Sequence, residues 1–165
     1  MDAEKKIRGK RVLIVDDEVD VLDTLTDALD MCKLDRASRF EEAKRLLETN
    51  DYDVAILDIM GVRGYELLDV AKEVGIPALM LTAHALSEEN LKKSVDKGAA
   101  YYAPKEEMDR IREFVADVIE AVEKNKSPWI RWFDRLASYY DGKFGGTDWR
   151  EKEKEFWENR IKWSA

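Results

Sequence analysis

Arg11-Val12-Leu13-Ile14-Val15-Asp16-Asp17-Glu18 is the stretch that decides the fold. Its apolar, β-branched run is too short for a helix and reads as a buried strand. The run ends abruptly in three carboxylates. Outward from it the pattern alternates. Residues 18–32 carry Leu22, Leu25, Leu29 and Cys32 at helical spacing, and 34–37 give a weaker strand signal. Ser38, with Glu41 three residues later, resembles a capping box that opens a helix with Ala43, Leu46 and Leu47 inward. Strands follow at 54–57, 78–81 and 99–103. Helices follow at 65–74, stopped by Gly75 and Pro77, and at 87–97, stopped by Gly98. A long helix over 106–124 places Met108, Ile111, Val115, Val118 and Val122 on one face. The expected fold is α/β, a doubly wound (βα)5 five-stranded parallel sheet with helices on both faces. Ligands of such sheets sit beyond the carboxyl ends of the strands.

Those ends carry an unusual set. The first strand runs into Asp16, Asp17 and Glu18, the third into Asp58, and the fourth into Thr82; Lys105 closely follows the fifth. Clustered carboxylates repel one another and call for a cation, and hard oxygen ligands with room for water suit Mg²⁺. A carboxylate is also a nucleophile toward phosphorus, giving an aspartyl phosphate. A lysine and a hydroxyl beside it can bind the phosphoryl oxygens. Taken singly, each residue has a plainer reading. The acids suit a helix N-terminus, Thr82 a strand end, and Lys105 a solvated surface. Only the ordered set points to chemistry.

These residues and their neighbours, Val15-Asp16-Asp17-Glu18, Leu57-Asp58, Leu81-Thr82-Ala83 and Pro104-Lys105, resemble the receiver domains of bacterial two-component response regulators over residues 9–124. The resemblance implies a flavodoxin-like sheet and a phosphorelay role. Asp58 would accept a phosphoryl group from a histidine kinase or phosphotransfer protein. Asp16, Asp17, Asp58 and the backbone carbonyl near Met60 would hold Mg²⁺. Thr82 and Lys105 would bind the phosphoryl group, Tyr102 would be an aromatic switch moving with Thr82, and small Ala83 would leave access. Output would be a conformational change read by protein contact. Chemistry would be limited to self-catalysed phosphotransfer and autodephosphorylation.

Two departures stand out. The loop in Asp58-Ile59-Met60-Gly61-Val62-Arg63-Gly64-Tyr65-Glu66-Leu67-Leu68 is shorter than is usual in the family and lacks its proline. Lys105 is followed by Glu106 where the family usually has proline. His84, the only histidine, reads as a surface residue at a helix start or as a tuner of phosphate lifetime, and Cys32 as a small buried apolar group. A receiver-fold adaptor working without phosphorylation is the alternative, kept open by the short loop and opposed by the complete acidic set. An aspartyl-phosphate phosphohydrolase of the haloacid-dehalogenase type needs a second Asp two residues after the nucleophile, and Met60 stands there.

Composition sets the outer bounds. The net charge of −8 argues against wholesale nucleic-acid binding. One cysteine allows no internal disulfide, and no apolar run approaches the roughly 18 residues of a membrane span. A cytoplasmic protein with no membrane insertion is expected. Charge also divides the chain. Residues 126–165 hold nine Lys+Arg against seven Asp+Glu and all five tryptophans, leaving 19 against 29 for 1–125. The expected units are a phosphoacceptor receiver domain over 1–125 and a Trp-rich helical extension over 126–165. In the extension, Ser127 and Pro128 open one helix. Trp129, Trp132, Phe133, Leu136 and Tyr140 form its apolar stripe, and Gly142, Gly145 and Gly146 break it. Thr147 caps a second helix carrying Trp149, Phe156, Trp157, Ile161 and Trp163. Such a hairpin is too small to bury its tryptophans alone. It either folds back on the receiver or docks a protein partner or second copy. The absence of a basic recognition helix argues against a DNA-binding output.

Overall fold

The computed structural model describes residues 2–83 and 87–162. Five strands, β1 (Arg11–Val15), β2 (Lys33–Ala37), β3 (Val54–Asp58), β4 (Ala78–Thr82) and β5 (Tyr101–Pro104), form one sheet in the order β2-β1-β3-β4-β5. All pairings are parallel, with Val12, Leu13 and Ile14 opposite Val54, Ala55 and Ile56. Every residue of β3, β4 and β5 is buried, as are Val12 to Val15. Strands covered on both faces must be apolar throughout, which is why they read as continuous runs. β2 is an edge strand, and its Lys33, Asp35 and Arg36 explain its weaker signal.

The crossovers carry α2 (Val19–Ala28), α3 (Phe40–Thr49), α4 (Gly64–Val74) and α5 (Glu88–Asp96), and α6 (Ile111–Lys124) follows β5. The order reverses between β1 and β3. Crossovers leave these two strands in opposite directions, so a crevice opens between their carboxyl ends. The helix α1 (Ala3–Ile7) was not expected from sequence. Asp2 caps it, its Oδ1 accepting from the Glu4 N–H at 3.1 Å, and Ile7 is fully buried. Lys6 pairs with Glu123 of α6 at 3.2 Å.

Several local expectations need correction. The helix expected over 18–32 stops at Ala28, and Cys32 is half-buried, its Sγ donating to the Ile7 carbonyl at 3.4 Å. Burial pushes that thiol up to about 11. The Ser38–Glu41 capping box does not form. The helix begins one residue later, at Phe40, so Glu42 is the residue that accepts the Ser38 N–H, at 3.3 Å. The long helix over 106–124 is a 3₁₀ segment, Lys105–Arg110, followed by α6. Val122 is 60% exposed and off the buried face, whereas Ala121 is covered. The sheet, α1 and the C-terminal helices pack around α6, so its buried surface is wider than a single stripe.

The C-terminal helices are α7 (Trp129–Lys143), α8 (Asp148–Glu151) and α9 (Lys154–Lys162). Pro128 takes the capping position one residue later than expected, and Ser127 Oγ accepts the Trp129 N–H at 3.2 Å. Gly142 lies inside α7, and the chain turns at Gly145 and Gly146, both at positive φ. Thr147 precedes α8 without a side-chain cap bond, and the expected second helix is interrupted between Glu151 and Lys154. Trp129, Trp132, Trp149 and Trp157 are each at most 5% exposed. They belong to the same buried cluster as the sheet, so the extension folds back on the receiver. Burying one such side chain stabilises the fold by about 3 kcal/mol or more. Trp163 lies outside the described residues.

Candidate functional site

The crevice at the β1 and β3 ends gathers the acidic residues. Asp16 follows β1 and is fully buried; Asp58 ends β3 and is 4% exposed. Asp16 also shapes its own turn, its Oδ1 accepting the Glu18 N–H at 2.9 Å, just before α2 begins. Lys105 enters from the residue after β5. Its Nζ lies 2.8 Å from Asp16 Oδ2, 3.2 Å from Asp58 Oδ1 and 3.1 Å from Glu18 Oε1. One ammonium therefore joins the ends of three strands.

Electrostatics follow from this crowding. Burial raises the pKa of Asp16, opposed by Lys105. Burial, then the nearby Asp16 charge, pushes Asp58 up to about 7, with Lys105 working against both. Burial disfavours the Lys105 charge, yet its ion pair with Asp16 and the charge of Asp58 outweigh this and hold it firmly protonated. The site is short of positive charge.

Its fit to a divalent cation rests on two observations. Asp16 Oδ2 is buried and has no aligned hydrogen bond, only the ion pair with Lys105. Carboxylate oxygens of Asp16, Asp17 and Glu18 lie within 4.8 Å of one another, with Asp17 and Glu18 exposed at the rim. Asp58 is not in that group; Lys105 links it to Asp16.

The loop after Asp58 is built by glycine. Gly61 has φ +83°, and a Cβ there would lie 2.5 Å from Asp17 Oδ1. At Gly64 a Cβ would meet the Asp58 carbonyl oxygen at 2.1 Å. The start of α4 thus rides directly on the end of β3, and the Gly64 N–H donates to the Ile59 carbonyl at 3.1 Å. The steric roles of Gly61 and Gly64 do not follow from pattern. The Met60 residue is 55% exposed.

Thr82 is buried at the end of β4, opposite Pro104, and Ala83 beyond it is exposed. Tyr102 is fully buried, and burial pushes its hydroxyl pKa up. His84 lies outside the described residues. Sequence reasoning passed over Asp117, which is 2% exposed on α6. It accepts from the Tyr101 hydroxyl at 2.9 Å and from both Nε and Nη2 of Arg135 on α7. Its only sequence signal is a charge inside an apolar helical run.

Comparison with known proteins agrees with this geometry. The sequence model of the response regulator receiver domain family matches residues 12–116. The two-component response regulator ARR18 of Arabidopsis thaliana is 32% identical over 104 residues, 59% of this chain and 16% of that protein, so the match spans a small part of its length. A CheY-like receiver domain protein from Methanospirillum hungatei JF-1 superposes with a TM-score of 0.58 at 28% identity, covering 68% of this chain and 98% of that one. The receiver domain of the Francisella response regulator 1452 gives 0.63 at 24%, covering 69% and 99%, a likeness of fold. Family, sheet order and the set of strand-end residues converge: the chain belongs to the response regulator receiver domain family.

Proposed function

We propose that this chain is a phosphorylation switch in which Asp58 accepts a phosphoryl group from a histidine kinase or phosphotransfer protein. The observation that carries the reading is the Lys105 ammonium lying between buried Asp16 and Asp58 where three strands end. A carboxylate oxygen of Asp58 attacks the phosphorus. The new P–O bond forms on Asp58 as the bond from phosphorus to the donor nitrogen breaks, and the donor keeps that electron pair. Lys105 stays protonated throughout and donates to a phosphoryl oxygen, and the Thr82 hydroxyl binds another. Asp16, Asp17, Asp58 and the Met60 carbonyl would hold Mg²⁺. When bound, that ion neutralises the carboxylates and the phosphoryl charge. The shielded position of Asp58 limits competing reactions with water, and Ala83 beyond β4 is small and exposed.

The switch is read through protein contact in the cytoplasm. Among the described residues, no helix is long and apolar enough to cross a membrane. Intact mass after incubation with acetyl phosphate and Mg²⁺ tests the reading. The full chain should gain one phosphoryl group, and EDTA or Asp58→Ala should abolish the gain. An unchanged mass with both acetyl phosphate and a phosphorylated donor protein would overturn it.

A further inference from the structure

The family match ends at residue 116, before α7–α9 begin, so those helices lie outside the matched domain. They hold one short segment of the receiver at both of its ends. At one end, Trp132 Nε1 donates to the Tyr102 carbonyl at 2.8 Å and the Tyr140 hydroxyl donates to the same carbonyl at 3.3 Å. The Tyr102 and Tyr140 rings lie 5.7 Å apart. At the other end, Glu106 Oε1 accepts from the Tyr139 hydroxyl and pairs with Lys143 Nζ at 3.0 Å. Between the two grips stands Lys105, whose ammonium is in the acidic site. The extension continues to α5, where Lys152 pairs with Glu88, Glu153 with Lys92 and Arg160 with Asp96.

Residues 102–106 are thus bound by α7 at 102 and 106 and by Asp16 and Asp58 at 105. We propose that α7–α9 are the chain's own ligand for the α5–β5–α6 face, and that their docking and the phosphoryl occupancy of Asp58 bias one another through residues 102–106. The proposal rests on Asp58 being the phosphoacceptor. A phosphoryl group on Asp58 draws the Lys105 ammonium away from Asp16 toward its own oxygens. Pro104 fixes φ just before Lys105, so the segment has one backbone torsion fewer with which to absorb the displacement. Glu106 moves with it, against Tyr139 and Lys143. A docked α7 that holds Glu106 also fixes where the neighbouring Lys105 ammonium stands beside the phosphoryl group, and so influences how long that group persists. The Glu106 ion pair is solvent-exposed and weak alone, so the coupling expected of that grip is modest.

All five tryptophans lie in 126–165, so tryptophan emission reports on the extension alone. The full chain is treated with Mg²⁺ and acetyl phosphate, and mass and emission are followed in the same sample. Emission should change in proportion to the phosphorylated fraction, and Asp58→Asn should abolish both changes on adding acetyl phosphate. In a second arm, Tyr139→Phe combined with Lys143→Met should alter the phosphoryl lifetime about threefold. Arg131→Gln serves as the control. Its partner Glu120 lies on α6 outside the segment, and its lifetime should stay within about 1.5-fold of wild type. Full mass gain with unchanged emission, or equal lifetimes for the double variant and wild type, overturns the coupling and leaves the phosphoacceptor standing. No mass gain removes the phosphoacceptor and the coupling with it.

Discussion

The sheet has two edges, and the chain protects them in opposite ways. At the β2 edge the strand carries Lys33, Asp35 and Arg36, with only Ala37 buried. Arg36 pairs with Asp23 at 2.9 Å, and Asp35 accepts from the Tyr52 hydroxyl at 2.7 Å. Charge alone discourages a foreign strand from adding there. At the β5 edge every residue is buried, and α7 lies against the strand with Trp132 and Tyr140 bonded to its Tyr102 carbonyl. The first edge is complete in itself and tolerant of change. The second depends on residues distant in sequence, so its stability and its neighbourhood to Lys105 become one problem.

Substitutions at the two edges should differ widely in their cost to stability. The largest effect is expected at Trp132. Trp132→Ala removes a fully buried indole and its bond to Tyr102, and should cost about 3–5 kcal/mol in denaturant unfolding. A cost under about 1 kcal/mol would mean that α7 does not support β5. Arg135→Met comes next. It strips the buried Asp117 of its charged partner and leaves the Tyr101 hydroxyl behind. Because Arg135 is 28% exposed, the cost should be about 2 kcal/mol, below the 3–5 of a fully buried pair. A double variant with Asp117→Leu should recover part of it; no recovery would show that burial of the Asp117 charge is not the source. The smallest effect is expected at the charged edge. Arg36→Ala should shift stability by no more than about 0.5 kcal/mol. A loss comparable with that of Trp132→Ala would erase the contrast.

The same contrast explains what the sequence disclosed. β1, β3 and β4 were legible because burial on both faces forces an apolar run, while β2 was faint because an exposed edge needs charge. The C-terminal helices were legible as amphipathic elements through the spacing of Trp129, Trp132, Leu136 and Tyr140. Periodicity marks a face as buried without naming what covers it, so the docking onto β5 and α6 has no signature in the spacing. The site divides in the same way. Alternation of strands and helices predicted that Asp16, Asp58 and Lys105 would share one sheet edge, and the structure brings them within ion-pair distance. The glycines that make room for Asp17 and for α4, and the Asp117–Arg135 pair, depend on contacts between segments far apart in the chain. Glu106 read only as a departure from the family's proline, and its side chain proves to be where α7 takes hold.

With Asp58 as the proposed phosphoacceptor, the phosphoryl group is expected on that residue and nowhere else. Reduction of the phosphorylated full chain with borohydride converts an acyl phosphate into an alcohol, and peptide mapping then locates the converted residue. A single conversion is expected, at residue 58, requiring Mg²⁺ and lost in Asp58→Asn. Conversion at Asp16, Asp17 or Glu18 instead, or none in a chain exposed to both acetyl phosphate and a phosphorylated donor protein, would contradict it.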